Sequence, residues 1–197
     1  MSAQEAAPVS KTIEAERILL RDPRGQVRAE LSMVGDGPCL GLYDANGVRR
    51  AELALVPDGP FLTLRDANGN SRAILSLLGD GTALNLFDAN KKPRAALGVF
   101  GNDPALRLCE TSGEPCASLA VNGEMPRISL GSVDRKPYAV LAVGPHGPSL
   151  DLCDRAGYRA GLGSVDVQRV KSGEERWTSA ASVFLLDKDD KVIWRAP

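Results

Sequence analysis

Leu40-Gly41-Leu42-Tyr43-Asp44-Ala45-Asn46-Gly47 returns 22 residues later as Leu62-Thr63-Leu64-Arg65-Asp66-Ala67-Asn68-Gly69. A third copy, Leu84-Asn85-Leu86-Phe87-Asp88-Ala89-Asn90, places Lys91 where the glycine stood. Asp22, Asp44, Asp66, Asp88 and Glu110 keep one period, Ser132 holds the register, and Asp154 restores the acid. The consensus is L-x-L-x-D-x-x-G-x-x-R-A-x-L. A repeat of 20–50 residues marks an array of small units, each too small to stand alone.

Two turns punctuate each unit. In D-x-x-G the carboxylate accepts from backbone N–H groups two residues on, and glycine or asparagine tolerates the left-handed conformation that closes a bulged hairpin. The second turn reads Asp36-Gly37, Asp58-Gly59, Asp80-Gly81 or Asn122-Gly123, the strongest short hairpin signal, since both central residues need positive φ. The turns alternate about every 11 residues, leaving strands of roughly 6–8 residues between them.

Between the turns, apolar residues alternate with period two. Leu40 and Leu42 precede the acid; Ala51, Leu53 and Leu55 follow it, and the other units repeat the scheme. Such alternation indicates antiparallel sheet with one buried face. The recurring alanine suggests second strands crowded near an axis. The reading is an all-β closed toroid or shallow barrel of about eight antiparallel hairpins. Its rivals are a four-bladed propeller of 44-residue blades and a β-solenoid of parallel strands; the D-G and N-G turns favour hairpins over the solenoid. Residues 1–12 are expected to form a disordered tail and residues 13–197 a single repeat domain.

The pattern drifts toward the C-terminus. Cys116 and Tyr138 replace the repeated arginine, and unit seven has lost one residue before Arg159. The stretch from Val165 to Ser182 is longer; Ser172-Gly173 reads as another turn, with Val165, Val167 and Trp177 on flanking strands. The last unit ends in Val192-Ile193-Trp194, where Trp194 is placed to plug or close the structure.

These units, with a final turn running into Val192-Ile193-Trp194, resemble the β-flower family over about residues 14–197. Those are bacterial repeat proteins whose hairpins radiate like petals from a shallow barrel. The resemblance implies a closed ring of hairpins and brings no catalytic residues with it. Some members resemble membrane-tethered proteins, and the barrel is broadly similar to lipid-binding Tubby-type domains.

Composition narrows the chemistry. Lys and Arg number 24 against 25 Asp and Glu, a net charge of -1, whereas nucleic-acid binders usually carry a basic excess or stripe. Met1 to Val9 has neither the basic nor the apolar region of a secretory signal. No stretch approaches the roughly 20 apolar residues of a membrane span, and a cytoplasmic location is expected. Cys39, Cys109, Cys116 and Cys153 lack metal-site spacing and are read as free thiols; Cys109 and Cys153 hold equivalent positions.

The single histidine, His146, lies in the turn Gly144-Pro145-His146-Gly147-Pro148. No Ser-His-Asp or Cys-His device can be assembled without it. The D-A-N-G turns superficially resemble calcium loops, but strand resumes directly after the glycine and the six or more oxygens of a calcium site are not supplied. Cofactors and metals are not expected.

Arg28, Arg50, Arg72 and Arg94 recur on the face opposite the leucines. One reading is an anion or headgroup row, since guanidinium binds phosphate bidentately. The other, favoured here, pairs each arginine with the turn acid of its own or a neighbouring unit. The expected function is a non-enzymatic structural or protein-interaction module. The alternative is lipid or small-ligand binding through the barrel interior or the arginine row.

Overall fold

A computed structural model describes residues 12–79, 81–132, 135–164 and 182–196. These contain no helix and 16 strands joined in one sheet in the order of the chain, β1 to β16. Every pairing is antiparallel and joins sequence neighbours. The all-β hairpin array expected from the repeat is therefore present. Its expected closure is not: β1 (Arg17–Arg21) and β16 (Val192–Ala196) end a linear order and do not pair with each other. A continuous sheet also excludes separate propeller blades, and antiparallel pairing excludes the solenoid.

Unit two shows how the sequence dictates the strands. β3 (Gly37–Tyr43) meets β4 (Arg49–Val56) across the Asp44 turn. Asp44 Oδ1 accepts from the Asn46 amide (2.9 Å) and the Val48 amide (3.0 Å), and the Asp44 carbonyl accepts from Gly47 N–H (3.1 Å). Gly47 takes φ 78°, and the register slips between Leu42 and Tyr43. This is the bulged hairpin the sequence calls for. Where glycine is replaced, Lys91 (φ 63°) and Asp190 (φ 59°) hold the same left-handed position.

The second turn differs from expectation. Val34 pairs with Gly37, so the turn residues are Gly35 and Asp36. Gly35 has φ 59°, and Asp36 is not among the positive-φ residues. Positive φ at the first central position alone defines type II′. In this turn the glycine before the acid is the one needed; in the Asp58 turn Pro57 stands there and the positive φ falls on Gly59 (φ 135°).

Cross-strand register arranges the apolar residues in rows. Leu31, Leu40, Leu53, Leu62, Leu75 and Leu84 face one another in succession, and the row continues through Leu97, Leu106, Leu119, Ile128, Leu141, Leu150 and Leu162. Beside it runs a second row in which leucine and alanine alternate: Leu42, Ala51, Leu64, Ala73, Leu86, Ala95. The alanines thus sit between leucines of neighbouring strands and crowd no axis. A shorter third row pairs Leu55 with Pro60 and Val99 with Pro104.

Among the described residues no second layer covers these rows, because each strand contacts only its sequence neighbours. Leu53 is 50% exposed and Leu97 57%. The shared dry interior expected for the leucines is absent. The chain exposes 13897 Å², against roughly 9,000 Å² for a compact protein of this length. Among the described residues two large side chains are fully buried, Phe184 and Leu186 of β15 (Val183–Leu186). Trp194 pairs with Leu185 and is half exposed on the leucine face, plugging nothing. Most of the proposed tail (residues 1–11), together with Val165, Val167, Ser172-Gly173 and Trp177, lies outside the described residues.

Candidate interaction surface

The two faces of the sheet differ in chemistry because alternate residues of each strand point to opposite sides. One side carries the leucine rows. The other carries arginine, glutamate and tyrosine interspersed with small residues, and these long side chains lie over their neighbours. That is why Cys39, Thr63, Ala105 and Cys153 are buried in a one-layer sheet.

The arginine column sits on this second face. Arg50 Nε donates to the Arg65 carbonyl at 2.9 Å, and its Nη1 lies 3.3 Å from Asp44 Oδ2. Arg28 repeats the arrangement with the Tyr43 carbonyl and Asp22, Arg72 with the Phe87 carbonyl and Asp66, and Arg94 with the Cys109 carbonyl and Asp88. Each guanidinium therefore holds the acid of its own turn and reaches the last carbonyls of the next hairpin. The column occupies every second strand, a spacing of about 10 Å. It staples successive units together.

Turn acids are tuned by the same geometry. At Asp44, burial pushes the carboxyl upward, but the Val48 and Asn46 amides and Arg50 outweigh it and leave the pKa below the ordinary carboxylate value. Asp66 behaves alike through Asn70, Asn68 and Arg72. At Asp88 the Lys92 amide lowers the pKa against burial, with Asn90 and Arg94 adding to it. A folded-state pKa below the unfolded value of 3.8 gives stabilisation that is present above that pH and lost as pH falls through the folded value. Chemical-denaturation midpoints are expected to fall as pH drops below about 4. The Asp44→Asn, Asp66→Asn, Asp88→Asn triple variant is expected to show a shallower fall over that window.

Two polar networks extend beyond the repeat. Near the N-terminus, Arg17 Nε donates to Glu30 Oε1 (2.8 Å) and the Tyr43 hydroxyl to Glu30 Oε2 (3.1 Å). Arg49 then bridges Tyr43 to Glu52, donating at 2.9 Å and 2.6 Å, and Arg65 closes on Glu52 Oε2 at 2.5 Å. Arg65 Nη1 is buried with no hydrogen-bond partner. Near the C-terminus, Arg159 of β14 (Arg159–Gly163) donates to Asp151 at 2.8 Å and to Asp190 at 3.2 Å. Burial raises the Tyr138 hydroxyl to a pKa of about 12, with Asp151 adding to the rise.

The histidine and the cysteines lie on separate strands and turns. His146 is the second residue of a tight turn, and its carbonyl accepts from Ser164 Oγ at 2.5 Å. All four cysteines are free, Cys39 and Cys153 buried and Cys116 exposed. Among the described residues, no three His, Cys, Asp or Glu side chains gather to hold a metal ion. The sheet encloses no lumen among the described strands. A shallow open depression of about 410 Å³, bordered by Tyr138, Leu152, Tyr158, Arg159 and Ile193, lies at its C-terminal end.

Comparison with known proteins adds the following. No known family profile matches the chain, and no curated protein matches it. Among solved structures, it is similar to a mutant of the TCP10 domain of Danio rerio CPAP, with 14% sequence identity, a TM-score of 0.36, and coverage of 91% of this chain and 98% of that one.

Proposed function

We propose that the chain is a non-enzymatic structural module whose working surface is the leucine face. The observation that carries this reading is the length of that face. Its central row crosses 14 consecutive strands from β2 (Val27–Val34) to β15, with no charged residue in it. The largest apolar patch on a soluble monomer is usually about 300–600 Å² and often functional. Half-exposed side chains in three rows exceed that several-fold. Domains normally bury a sheet's apolar face beneath a second layer, and here the chain supplies none among the described residues. The missing layer is a protein partner.

The alternative occupant is lipid or another small apolar ligand. The arginine row favours it less than the sequence does, since the guanidinium groups are engaged by turn acids and strand-end carbonyls on the far side of the sheet. Among the described residues no helix is long and apolar enough to cross a membrane.

The test is in-cell photocross-linking. A benzophenone side chain at Leu53, on the leucine face, is expected to capture protein. The same probe at Ile74, whose partners Thr63 and Asn85 lie on the opposite face, is expected to capture none. Capture of lipid alone at Leu53, or equal capture at both positions, overturns the reading.

A further inference from the structure

We infer that the layer covering the leucine face is a second copy of this chain, stacked face to face with strands antiparallel to the first. The inference rests on the module reading above and names its partner. Three observations lead to it.

The first is area. Exposed leucine-face side chains offer on the order of 2,000 Å² per copy, where a standard interface takes roughly 800 Å² per partner and obligate homodimers bury 2,000–5,000 Å² in total. A partner must present an apolar sheet about as large as this one, and a second copy does so by construction. Twofold pairing is self-complementary, since one patch serves both subunits. Sheets stacked about 10 Å apart are the ordinary β-sandwich arrangement, and alternating leucine and alanine give each face ridges and hollows for interdigitation.

The second is charge. The tight-turn edge of the sheet carries Asp36, Asp58, Asp103 and Glu124, and no lysine or arginine lies in its described turns. The opposite edge is mixed: its described turns carry Arg24, Lys91, Lys92, Arg155, Lys188 and Lys191 among acids, of which Asp22, Asp44, Asp66 and Asp88 are paired with Arg28, Arg50, Arg72 and Arg94 and Asp190 with Arg159. A twofold axis lying in the plane between the sheets and across the strands places each acidic tight-turn edge over the edge that holds the turn lysines and arginines. It also sets β1 over β1, with central-row leucines near their own counterparts. An axis along the strands would oppose acid to acid.

The third is the edges. Joining β16 of one copy to β1 of the next, the other way to extend an open sheet, would bring Arg195 beside Arg17 and Arg21 on adjoining strands. Like charges on adjoining strands are unfavourable.

The experiment is mass determination by light scattering on the full chain at micromolar concentration, paired with a cross-link. Twice the monomer mass is expected, with the Leu75→Lys, Leu97→Lys variant at monomer mass and an unchanged far-ultraviolet sheet signal. Because two lysines on one face can unfold the chain, a second variant, Leu97→Cys, decides independently. Residue 97 lies in the central row, and the native cysteines Cys39, Cys109 and Cys153 lie on the opposite face. A short bifunctional maleimide is expected to join two Leu97→Cys copies while leaving the native chain uncoupled. Monomer mass for the native chain overturns the inference, as does a dimer that survives the lysine pair with its sheet signal intact. So does coupling no greater in Leu97→Cys than in the native chain. If Leu53 captures a different protein while the chain stays monomeric, self-association fails and the module reading stands. If it captures no protein, both fail.

Discussion

Phe184→Ala is expected to destabilise the C-terminal end of the sheet by about 3–5 kcal/mol, the usual cost of emptying a buried aromatic site. Phe184 is fully buried, and its ring fills the space that a side chain on Gly161 of β14 would occupy. Ring and glycine are complementary across the strand pair. The loss should be local, because strands contact only their sequence neighbours and stability in such arrays sums over adjacent units. Hydrogen exchange is the appropriate measurement. Backbone amides of β14, β15 and β16 are expected to lose protection while those of β3 and β4 keep theirs. Equal loss throughout would show that the array melts as one body, and no loss would remove Phe184 from the fold's support.

Glu52→Gln is the second large effect. Glu52 accepts from Arg49 and Arg65 and is approached by Cys39 Sγ at 3.6 Å. Removing its charge leaves two guanidinium groups side by side with no counter-ion between them. Breaking a buried pair in this way costs about 3–5 kcal/mol, reduced to about 2–3 kcal/mol because both arginines reach solvent. The pH dependence gives an internal check. Burial pushes the Glu52 carboxyl upward, but Arg65 and Arg49 outweigh it and hold the pKa below 4.5. The native pair therefore stabilises fully above that pH and loses its contribution as pH falls through the lowered value. The gap between native and Glu52→Gln urea midpoints is expected to be widest near neutrality and to narrow below about pH 4. A constant gap would place the effect in packing instead of charge.

Much of this architecture is written in the spacing of residues. The 22-residue period, the bulged hairpins at Asp44, Asp66 and Asp88, and the in/out alternation of each strand all follow from local rules of turn and pleat. The tight turn was half legible: Gly35 and Gly37 flank the acid, and only the strand register decides which of them sits in the turn. Closure was not legible, because alternation specifies that one face is apolar and is silent on what covers it. A ring, a sandwich and a bare sheet share one pattern. The arginine–acid stapling was among the alternatives the sequence offered, since six residues separate Asp44 from Arg50 across a hairpin. Reach to the Arg65 carbonyl of the next unit depends on neighbour register and lay beyond it. So did the path from Arg17 to Arg65, built from cross-strand pairs 13 residues apart, such as Arg17 with Glu30 and Glu52 with Arg65. A search for opposite charges at that separation finds these two end pairs and misses the Tyr43–Arg49 link between them.

The strictly sequential strand order also fixes how the chain comes together. Where a strand's partner is always the one made just before it, most hairpins close over a handful of residues and growth proceeds like a zipper from any starting hairpin, as in other folds dominated by local contacts. One joint departs from this rule. β14 ends at Gly163 and its partner β15 begins at Val183. That pairing joins strands farther apart in the chain than any other in the described sheet, so it is the last tooth to engage.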